Sequence, residues 1–437
     1  MKRAIGACAI FFAQLAIASN ASAAAVTQVA QDVAKALGAL PATAVVVAAP
    51  LVTDQPAPKG DELALRVAAL VAGRISATAR AHNQPAQLGT ARALAGKGGG
   101  LVYVQVEIAK GELRATADVY PVMRNSWDRI RNPLPAPTTH AFASAKIDAE
   151  VRAFLPPIVL EQAQVHKARH EEGDVLAAAC GDVDGDGGME LALVSRTRVT
   201  VGRVRGGKYV TLRSESWAKL APRAPAPLRE PLATAVIASG LFVGSTDRGG
   251  VSLTADFGAH VGLVGLPFAI TDGVACARSN AGASALEGPL VDCAGAKDVG
   301  AKLDPPASRF DAFPLAIVGG RDGGTKTVVA AREPGGKLRV RIGELPVRTV
   351  EGVGAQIAIA DLDQDGAPEL VTTLEGGEDA ITIATLSMSS ASGGAEAKLR
   401  LRLAAPAGVR ALCTCPPEER GAPALVAIVG NEVWIVR

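Results

Sequence analysis

The sequence DVDGDGGMEL at positions 182–191 recurs almost unchanged as DLDQDGAPEL at positions 361–370. Each copy lies between two short apolar runs and places acidic side chains at its first, third, fifth and ninth positions. Carboxylates held this close together repel one another, and a hard divalent cation converts that repulsion into coordination through oxygen. The pattern therefore predicts two calcium-binding loops, each of which joins two β-strands.

The spacing of the two copies predicts a repetitive β fold. It fits about four periods of 40–45 residues, the length of a four-stranded propeller blade. Runs of β-branched and polar residues separated by glycines, as at 191–204, 326–332 and 338–342, are typical of strands and turns. We expect an all-β domain at 156–437 that forms a β-propeller of five to seven blades, with six favoured. A β-sandwich array with calcium loops is the alternative. Segments 247–250 and 319–324 look like copies of the loop that have lost most of their carboxylates.

The end of the chain indicates how such a ring would close. Leu425–Val429 and Glu432–Val436 form a predicted hairpin across a Gly430-Asn431 turn. A last strand without a partner would leave an exposed edge. We therefore expect a closing strand from about residues 158–165.

The two loops resemble the FG-GAP/VCBS repeats of integrin-α-like β-propellers, through the pattern Asp-x-Asp-x-Asp-Gly-x-x-Glu-Leu. The resemblance implies two structural Ca²⁺ ions, and glycine at the sixth position permits the sharp turn of each loop. For the first ion it implies the ligands Asp182, Asp184, Asp186, Glu190 and the carbonyl of Gly188. For the second ion it implies Asp361, Asp363, Asp365, Glu369 and the carbonyl of Ala367.

Two other interpretations of the loops are weaker. An EF-hand requires a bidentate glutamate at its twelfth position, where this chain has Leu193 and Thr372. Two solvated acidic turns without an ion would not require the same nine-residue pattern twice.

Residues 1–23 predict a secretory signal peptide. A basic start is followed by the apolar stretch Ala4–Ala18 and by the cleavage pattern Ala21-Ser22-Ala23. We expect cleavage near Ala23, a periplasmic or secreted bacterial protein, and no transmembrane segment after cleavage.

Charge and composition exclude some partners. The chain has 45 basic and 43 acidic residues, and two of the basic ones belong to the signal peptide. This balance argues against nucleic acid as a partner, since a basic patch would be expected there. Aromatic residues make up 3% of the chain, so stacking platforms for bases or sugars are poorly supported.

Five cysteines follow the signal peptide: Cys180, Cys276, Cys293, Cys413 and Cys415. An oxidising compartment favours disulfides, and the odd number leaves at least one thiol free or intermolecular. Cys276–Cys293 is the preferred bridge. Cys413 and Cys415 would face the same side of a strand and could not easily join each other.

Residues 24–155 predict a small α/β domain. Ala44–Ala49 is typical of a buried strand, Asp61 would cap a helix to Ile75, and Leu101–Ile108 and Glu112–Val122 alternate as a hairpin does. A shorter helix at 90–95 and a last helix near 147–155 complete the order strand–helix–helix–hairpin–helix. This region resembles the N-terminal domain of periplasmic TolB-like proteins, which also join such a domain to a propeller.

Two local patterns suggest catalysis or metal binding but are better explained otherwise. Gly96–Gly100 lacks the serine or threonine that a phosphate-binding loop needs after its lysine, and is typical of a flexible turn. His166 and His170 could share a metal on a helix, but on a closing strand they would lie about 13 Å apart.

Three functions follow as hypotheses. The first is a non-enzymatic protein-interaction or scaffold module of the cell envelope, with an envelope or extracellular protein as partner. The second is a polysaccharide-active enzyme that uses the propeller channel. The third is a carbohydrate-binding or adhesion module in which an ion contacts a glycan. The fold alone does not decide among them.

Overall fold

The computed structural model describes residues 24–38, 40, 44–53, 56–95, 100–121, 126–131, 135–221, 231–258, 260–271, 273–278, 285–295, 304–319, 325–374, 378–386, 397–417 and 422–437. The predicted signal peptide and most of Gly96–Gly100 lie outside these residues. Among the helices that the structure describes, none combines the length and apolar character needed to cross a membrane.

The first part of the chain packs helices on a mixed sheet. The helices are α1 (Ala25–Leu37), α2 (Gly60–Ile75), α3 (Leu88–Ala95), α4 (Ser126–Arg131) and α5 (Ala149–Arg152). The strands are β1 (Val45–Ala48), β2 (Val52–Thr53), β3 (Arg80–Ala81), β4 (Leu101–Ala109), β5 (Glu112–Tyr120) and β6 (Thr139–Lys146). β1 pairs in parallel with β3 and β4, β2 pairs in parallel with the end of β4, and β4, β5 and β6 are antiparallel.

The helices contribute apolar faces with helical spacing to one core. Val26, Val29 and Val33 of α1 and Leu63 and Val67 of α2 have no exposed surface. They pack with buried side chains of β1, β4 and β5 in a single cluster. This spacing of three and four residues places each set on one face of its helix.

The sequence predictions for this part are incomplete. They miss α1, whose buried face is built partly from alanines that contrast little with their neighbours, and they miss β6. The prediction that Asp61 caps α2 is wrong, because Lys59 occupies the N-cap position. The helix begins at Gly60, where an added Cβ would lie 2.7 Å from Leu51 Cδ2, so a larger residue would displace the Leu51 side chain.

The rest of the chain is built from strands. After a 3-10 turn at Leu160–Gln162, β7 (Val165–Arg169) leads into β8 (Val175–Gly181), β9 (Glu190–Ser195), β10 (Arg198–Arg205) and β11 (Lys208–Ser216), and then into the short helix α6 (Trp217–Leu220). The next two groups of strands are β12 (Ala233–Ile237), β13 (Leu241–Ser245), β14 (Gly249–Leu253) and β15 (His260–Leu263), and β16 (Leu266–Ile270), β17 (Gly273–Arg278), β18 (Leu286–Asp292) and β19 (Arg309–Phe310). They are followed by β20 (Leu315–Gly319), β21 (Thr325–Arg332), β22 (Leu338–Ile342) and β23 (Arg348–Val350), and by β24 (Val353–Ala360), β25 (Glu369–Leu374), β26 (Ala380–Leu386) and β27 (Ala397–Ala404). The chain ends with β28 (Val409–Cys415), β29 (Ala424–Val429) and β30 (Glu432–Val436).

Most of these strands form four-stranded antiparallel sheets in chain order: β12–β15, β16–β19, β20–β23 and β24–β27. The remaining strands form one eight-stranded sheet in the order β28-β29-β30-β7-β11-β10-β9-β8. Within it, β8–β11 repeat the four-stranded pattern, and β7 joins this half to the C-terminal strands. β7 is antiparallel to β30 over five residue pairs and touches β11 in parallel at Arg169 and Lys208.

The closing strand therefore exists, but its predicted position is wrong. It spans Val165–Arg169 rather than about 158–165. Leu160 lies in the preceding 3-10 turn and is buried in a cluster with Leu425 and Trp434, so these earlier residues anchor the terminal hairpin through packing. The hairpin itself is confirmed at β29 and β30.

The first strand of each four-stranded repeat faces a shared space. A cavity of about 770 Å³ is lined by residues of β8, β12, β16, β20, β24 and β28. Sheets arranged radially around a central cavity, with the first strand of each innermost, have the arrangement of a β-propeller.

The proposed equivalence of 247–250 to the acidic loops is wrong. That segment joins β13 to β14, the second and third strands of a sheet, whereas the acidic loops join first and second strands. Residues 320–324 lie outside the described part of the chain.

Two disulfides lie in this part of the chain. The preferred Cys276–Cys293 bridge is confirmed. A second bridge, Cys180–Cys415, joins β8 to β28 and so links the beginning of the sheet assembly to its end. Among the described cysteines Cys413 is the free thiol, and burial raises its pKa to about 12.

Candidate metal centres

The first acidic loop spans residues 182–189, between β8 and β9. Both carboxylate oxygens of Asp182 accept backbone N–H groups, from Gly185 at 2.7 Å and from Gly187 at 2.9 Å. Glu190, the first residue of β9, has no exposed surface and accepts the Val183 amide at 2.8 Å. These bonds fold the acidic side chains inward over a turn in which Gly187 has a positive φ of 83°, the conformation for which glycine was predicted.

Two further hydrogen bonds of this loop run from a backbone amide to the carboxylate two positions earlier in the chain. The Asp186 amide donates to Asp184 at 3.3 Å, and the Gly188 amide donates to Asp186 at 2.7 Å. Ligand atoms of Asp182, Asp184 and Glu190 lie within 4.8 Å of one another. This distance is short enough for one ion to contact all three side chains.

The second acidic loop, residues 361–368 between β24 and β25, repeats this geometry. Its four corresponding hydrogen bonds are Leu362 N to Glu369 at 2.8 Å, Asp365 N to Asp363 at 3.2 Å, Gly366 N to Asp361 at 3.0 Å and Ala367 N to Asp365 at 2.8 Å. Gly366 again has a positive φ, of 88°. Ligand atoms of Asp361, Asp363 and Asp365 lie within 4.8 Å of one another. In each loop three of the four predicted acidic ligands converge, and Asp186 lies outside the first group and Glu369 outside the second.

One hydrogen bond of the first loop has no counterpart in the second. In the first loop the Gly185 amide donates to Asp182 Oδ1. In the second, Gln364 stands at that position, and the corresponding Asp361 Oδ1 is buried without a hydrogen-bond partner among the described residues. A buried carboxylate oxygen without a donor is costly, and a cation would satisfy it.

A guanidinium occupies the first loop. Arg203 of β10 donates from Nη2 to both oxygens of Asp186 at 2.7 Å and from Nε to Glu190 Oε1 at 2.5 Å. Its Nη2 also lies 3.9 Å from Asp184. Arg213 of β11 approaches Asp184 from the other side, at 3.8 Å. The first loop therefore contains positive charge supplied by the chain itself.

The second loop has a different neighbour at the corresponding point. Thr385 of β26 donates its hydroxyl to Glu369 Oε1 at 2.9 Å. Arg400 of β27 reaches Asp363 at 3.3 Å and Thr385 at 3.0 Å, but its Nε and Nη2 bind Glu161 at 2.5 Å and 3.3 Å. Arg400 thus divides its charge between the loop and the segment before β7.

The pKa values follow these surroundings. Hydrogen bonds from Arg203, and then from the Gly188 amide, lower the pKa of Asp186. In the second loop burial raises the pKa of Asp361 to about 7 and that of Glu369 to about 8, and neighbouring carboxylates add to both shifts. Burial also raises the pKa of Asp363, with Asp365 as the next cause. Negative charge is therefore less well compensated in the second loop.

The donor sets consist of carboxylate oxygens, which are ligands of hard cations such as Ca²⁺. Asp363 is 5% exposed and Glu369 has no exposed surface, whereas Asp184 and Asp186 of the first loop are exposed. Gly188 and Ala367, expected to contribute carbonyls, donate their amides to the fifth-position aspartates.

Sequence analysis did not identify Arg203, Thr385, Arg400 or Glu161 as parts of these sites. Arg203, Thr385 and Arg400 come from strands outside the loops, and Glu161 comes from the turn before β7 and contacts Arg400; no motif marks any of them. A charged residue in the strand next to an acidic loop is a weak signal, because exposed strands commonly carry lysine and arginine.

The remaining sequence candidates are placed elsewhere. His166 is exposed on β7 and His170 is buried just beyond its end, so the two rings do not share the surroundings expected of residues on one face. Asp311 lines the cavity between the sheets and is paired with Arg332. We propose no catalytic set from these residues.

No protein-family model and no curated protein matches the chain. Among solved structures it is similar to the β-propeller domain of Cps50 (Swd1) from Myceliophteria thermophila, with 9% identity and a TM-score of 0.35 over 76% of this chain and 94% of that one. It is also similar to extracellular domains 1–2 of Drosophila Semaphorin 1a, with 11% identity and a TM-score of 0.38 over 62% and 87% of the two chains. The propeller arrangement rests on the strand pairing and shared cavity of this chain itself.

Proposed function

We propose that this chain is a secreted or periplasmic protein in which a calcium-braced β-propeller of the FG-GAP/VCBS type serves as a non-enzymatic protein-interaction module. In this proposal residues 1–23 are a cleaved signal peptide, 24–155 form a small α/β domain, and 156–437 form the propeller. The observation that carries it is the convergence of carboxylates in two loops at the same position of two sheets.

Six blades fit the sheet order best. Four blades are the four-stranded sheets, a fifth is β8–β11, and the sixth combines β28, β29 and β30 with β7. In this arrangement β7 closes the ring by completing the last blade, and the Cys180–Cys415 bridge joins the innermost strands of the first and last blades. Closure removes the free edge that a terminal strand would otherwise expose.

Calcium is the cation that fits the second loop best. Its four acidic side chains present only oxygen, and Asp361 Oδ1 is a buried acceptor without a donor. Asp361, Asp363, Asp365 and Glu369 would hold the ion, which would neutralise their charge and fix the turn between two strands. The burial of Asp363 and Glu369 supports a structural ion over one that contacts a glycan directly.

An interaction role is supported by the outer strands. Val210 and Leu212 of β11, Val261 of β15 and Leu399 of β27 are large apolar side chains with between 45% and 66% of their surface exposed. Exposed apolar side chains mark contact surfaces where they form contiguous patches, and Val210 and Leu212 lie two residues apart on one strand. An envelope or extracellular protein is the partner that the predicted signal peptide and the resemblance to TolB-like proteins suggest.

A pull-down from envelope extract tests this function. The full chain would be compared in Ca²⁺ and in chelator, alongside an Asp361→Asn/Asp363→Asn variant. A protein that is retained by the wild type in Ca²⁺, and lost both in chelator and with the variant, supports the proposal. Equal retention of all proteins under the three conditions contradicts it, and glycan screening would then test the carbohydrate-binding alternative.

A further inference from the structure

The two acidic loops have superimposable strand registers, so their neighbours can be compared position by position. Leu191 of β9 pairs with Gly202, and the corresponding Leu370 of β25 pairs with Ala384. Gly202 is followed by Arg203 in β10, and Ala384 is followed by Thr385 in β26. Both contact the buried glutamate of their loop through its Oε1 atom.

The fourth strands confirm this equivalence. The ladder between β10 and β11 shifts after Val201, and the ladder between β26 and β27 shifts after Ile383, which are matching positions. A bulge at the same place in two sheets shows that the repeat extends beyond the loop. Arg203 and Thr385 are therefore the same site in the repeat, occupied by a cation in one copy and by a hydroxyl in the other.

The residue at the seventh position of each loop is smaller where its neighbour is Arg203 and larger where its neighbour is Thr385. In the first loop it is Gly188, where an added Cβ would lie 2.7 Å from Arg203 Nη2 and 2.8 Å from Arg203 Cζ. In the second loop the corresponding residue is Ala367, and the smaller Thr385 stands beside that loop. Gly188 therefore provides the room in which the Arg203 guanidinium packs.

The guanidinium does in the first loop what an ion would do. It contacts three carboxylates, those of Asp184, Asp186 and Glu190, and it turns both Asp186 oxygens toward itself. Asp186 is accordingly not part of the converging group formed by Asp182, Asp184 and Glu190. In the second loop, all three aspartates converge, and Asp361 Oδ1 still lacks a donor.

We propose that Arg203 takes the place of the cation in the first loop, so that each chain binds one Ca²⁺ ion, in the second loop. This inference rests on the proposed calcium function, and it revises the sequence-based expectation of two ions. The first loop keeps the acidic pattern because its carboxylates hold Arg203 and the backbone of the turn.

The number of Ca²⁺ ions bound by the purified full chain tests this, measured by equilibrium dialysis and metal analysis with Ca²⁺ as the probe. We expect one ion for the wild type and two for Arg203→Thr, which gives the first loop the residue of the second. The converse variant, Thr385→Arg/Ala367→Gly, gives the second loop both residues of the first and should bind none. Combining all three substitutions should restore one ion, now in the first loop.

Arg213→Thr is the matched control, since it removes an arginine that also faces Asp184 but does not contact Asp186 or Glu190. It should leave one ion bound. Two ions in the wild type would overturn the inference while leaving the calcium function intact. One ion in both the wild type and Arg203→Thr would show that Arg203 is not what excludes the second. No ion in the wild type, in Arg203→Thr or in the control would reject the calcium function itself.

Discussion

Arg203 and Thr385 occupy the same position in two sheets, and each contacts the glutamate that ends its acidic loop. The guanidinium of Arg203 compensates carboxylates of the first loop from within the chain. The hydroxyl of Thr385 donates a hydrogen bond to Glu369 and leaves the negative charge in place. Two loops with the same acidic pattern therefore differ in the residue that contacts their glutamate, in addition to the different approaches of Arg213 and Arg400.

Replacing Asp361 by Asn should abolish stabilisation by Ca²⁺ and should also stabilise the ion-free protein. The aspartate is a predicted ligand, and its charge is buried beside Asp363 and Asp365, which repel it. At 100 times its dissociation constant a single ion stabilises the wild type by about 2.7 kcal/mol, and the variant would lose this gain. Thermal unfolding in Ca²⁺ and in chelator measures both effects.

Asp182→Asn is the control for that experiment, because Asp182 stands at the same position of the loop that contains Arg203. It should keep the Ca²⁺-dependent rise in melting temperature. If Asp361→Asn and Asp182→Asn lose the Ca²⁺-dependent rise equally, both loops bind the ion. If the wild type itself melts at the same temperature in Ca²⁺ and in chelator, neither loop does.

The acidic loops could be predicted from sequence because all their carboxylates lie within nine residues, where spacing alone fixes which side chains converge. Arg203 and Arg400 could not be predicted in this way. Their contacts depend on strand register, and a shift of one residue would turn each side chain to the other face of its sheet. The difference between the two loops is therefore a property of the assembled sheets.

The same limit applies to the fold. The terminal hairpin was predicted because its two strands are adjacent in sequence and joined by Gly430-Asn431. The closing strand was placed several residues too early, because Ile158–Leu160 is as apolar as a strand but packs as a turn. The Cys180–Cys415 bridge joins residues 235 apart, and nothing local to either cysteine indicates its partner.

Removing the Cys180–Cys415 bridge should destabilise the protein more than removing Cys276–Cys293. The two bridges close loops with sequence separations of 235 and 17 residues. In the chain-entropy model these contribute about 5 and about 3 kcal/mol, because the longer loop restricts the unfolded chain more. Calorimetry of Cys180→Ser/Cys415→Ser and of Cys276→Ser/Cys293→Ser under oxidising conditions compares them. A smaller loss for the first variant would contradict the prediction, because it would show that loop length does not decide how much each bridge stabilises the protein.

His170 should contribute a loss of stability on acidification. This side chain is 5% exposed, and burial lowers its pKa, although Glu172 acts in the opposite direction. Below the ordinary histidine pKa of about 6.5, the unfolded state binds more protons than the folded state. The stabilisation contributed by neutral His170 is therefore fully present above that pH and is lost as the pH falls toward the lowered folded-state pKa. Asp361 and Glu369, whose pKa values are raised to about 7 and about 8, act in the opposite direction, so the test compares variants. In denaturant titrations from pH 8 to pH 5, the stability of His170→Gln relative to the wild type should rise as the pH falls.

His166→Gln provides the comparison, because it removes an exposed imidazole from β7 and leaves the buried His170 in place. If His170→Gln retains the full wild-type slope, the acid sensitivity arises from other groups.

Replacing Arg332 by Met should be among the most destabilising single changes in the sheets. Arg332 is 7% exposed, it pairs with the mostly buried Asp311 before β20, and its Nε donates to the Val353 carbonyl of β24 at 3.0 Å. Methionine keeps much of the packing but leaves the Asp311 charge unpaired, which costs about 3–5 kcal/mol for a buried ion pair. Arg339→Met, which breaks a more exposed pair with Glu333, should cost less than about 1 kcal/mol.

Adding Asp311→Asn to Arg332→Met should recover part of the loss in urea unfolding, because it removes the stranded charge. If the double variant is no more stable than Arg332→Met, the lost bond to Val353 and lost packing, rather than the unpaired carboxylate, account for the effect.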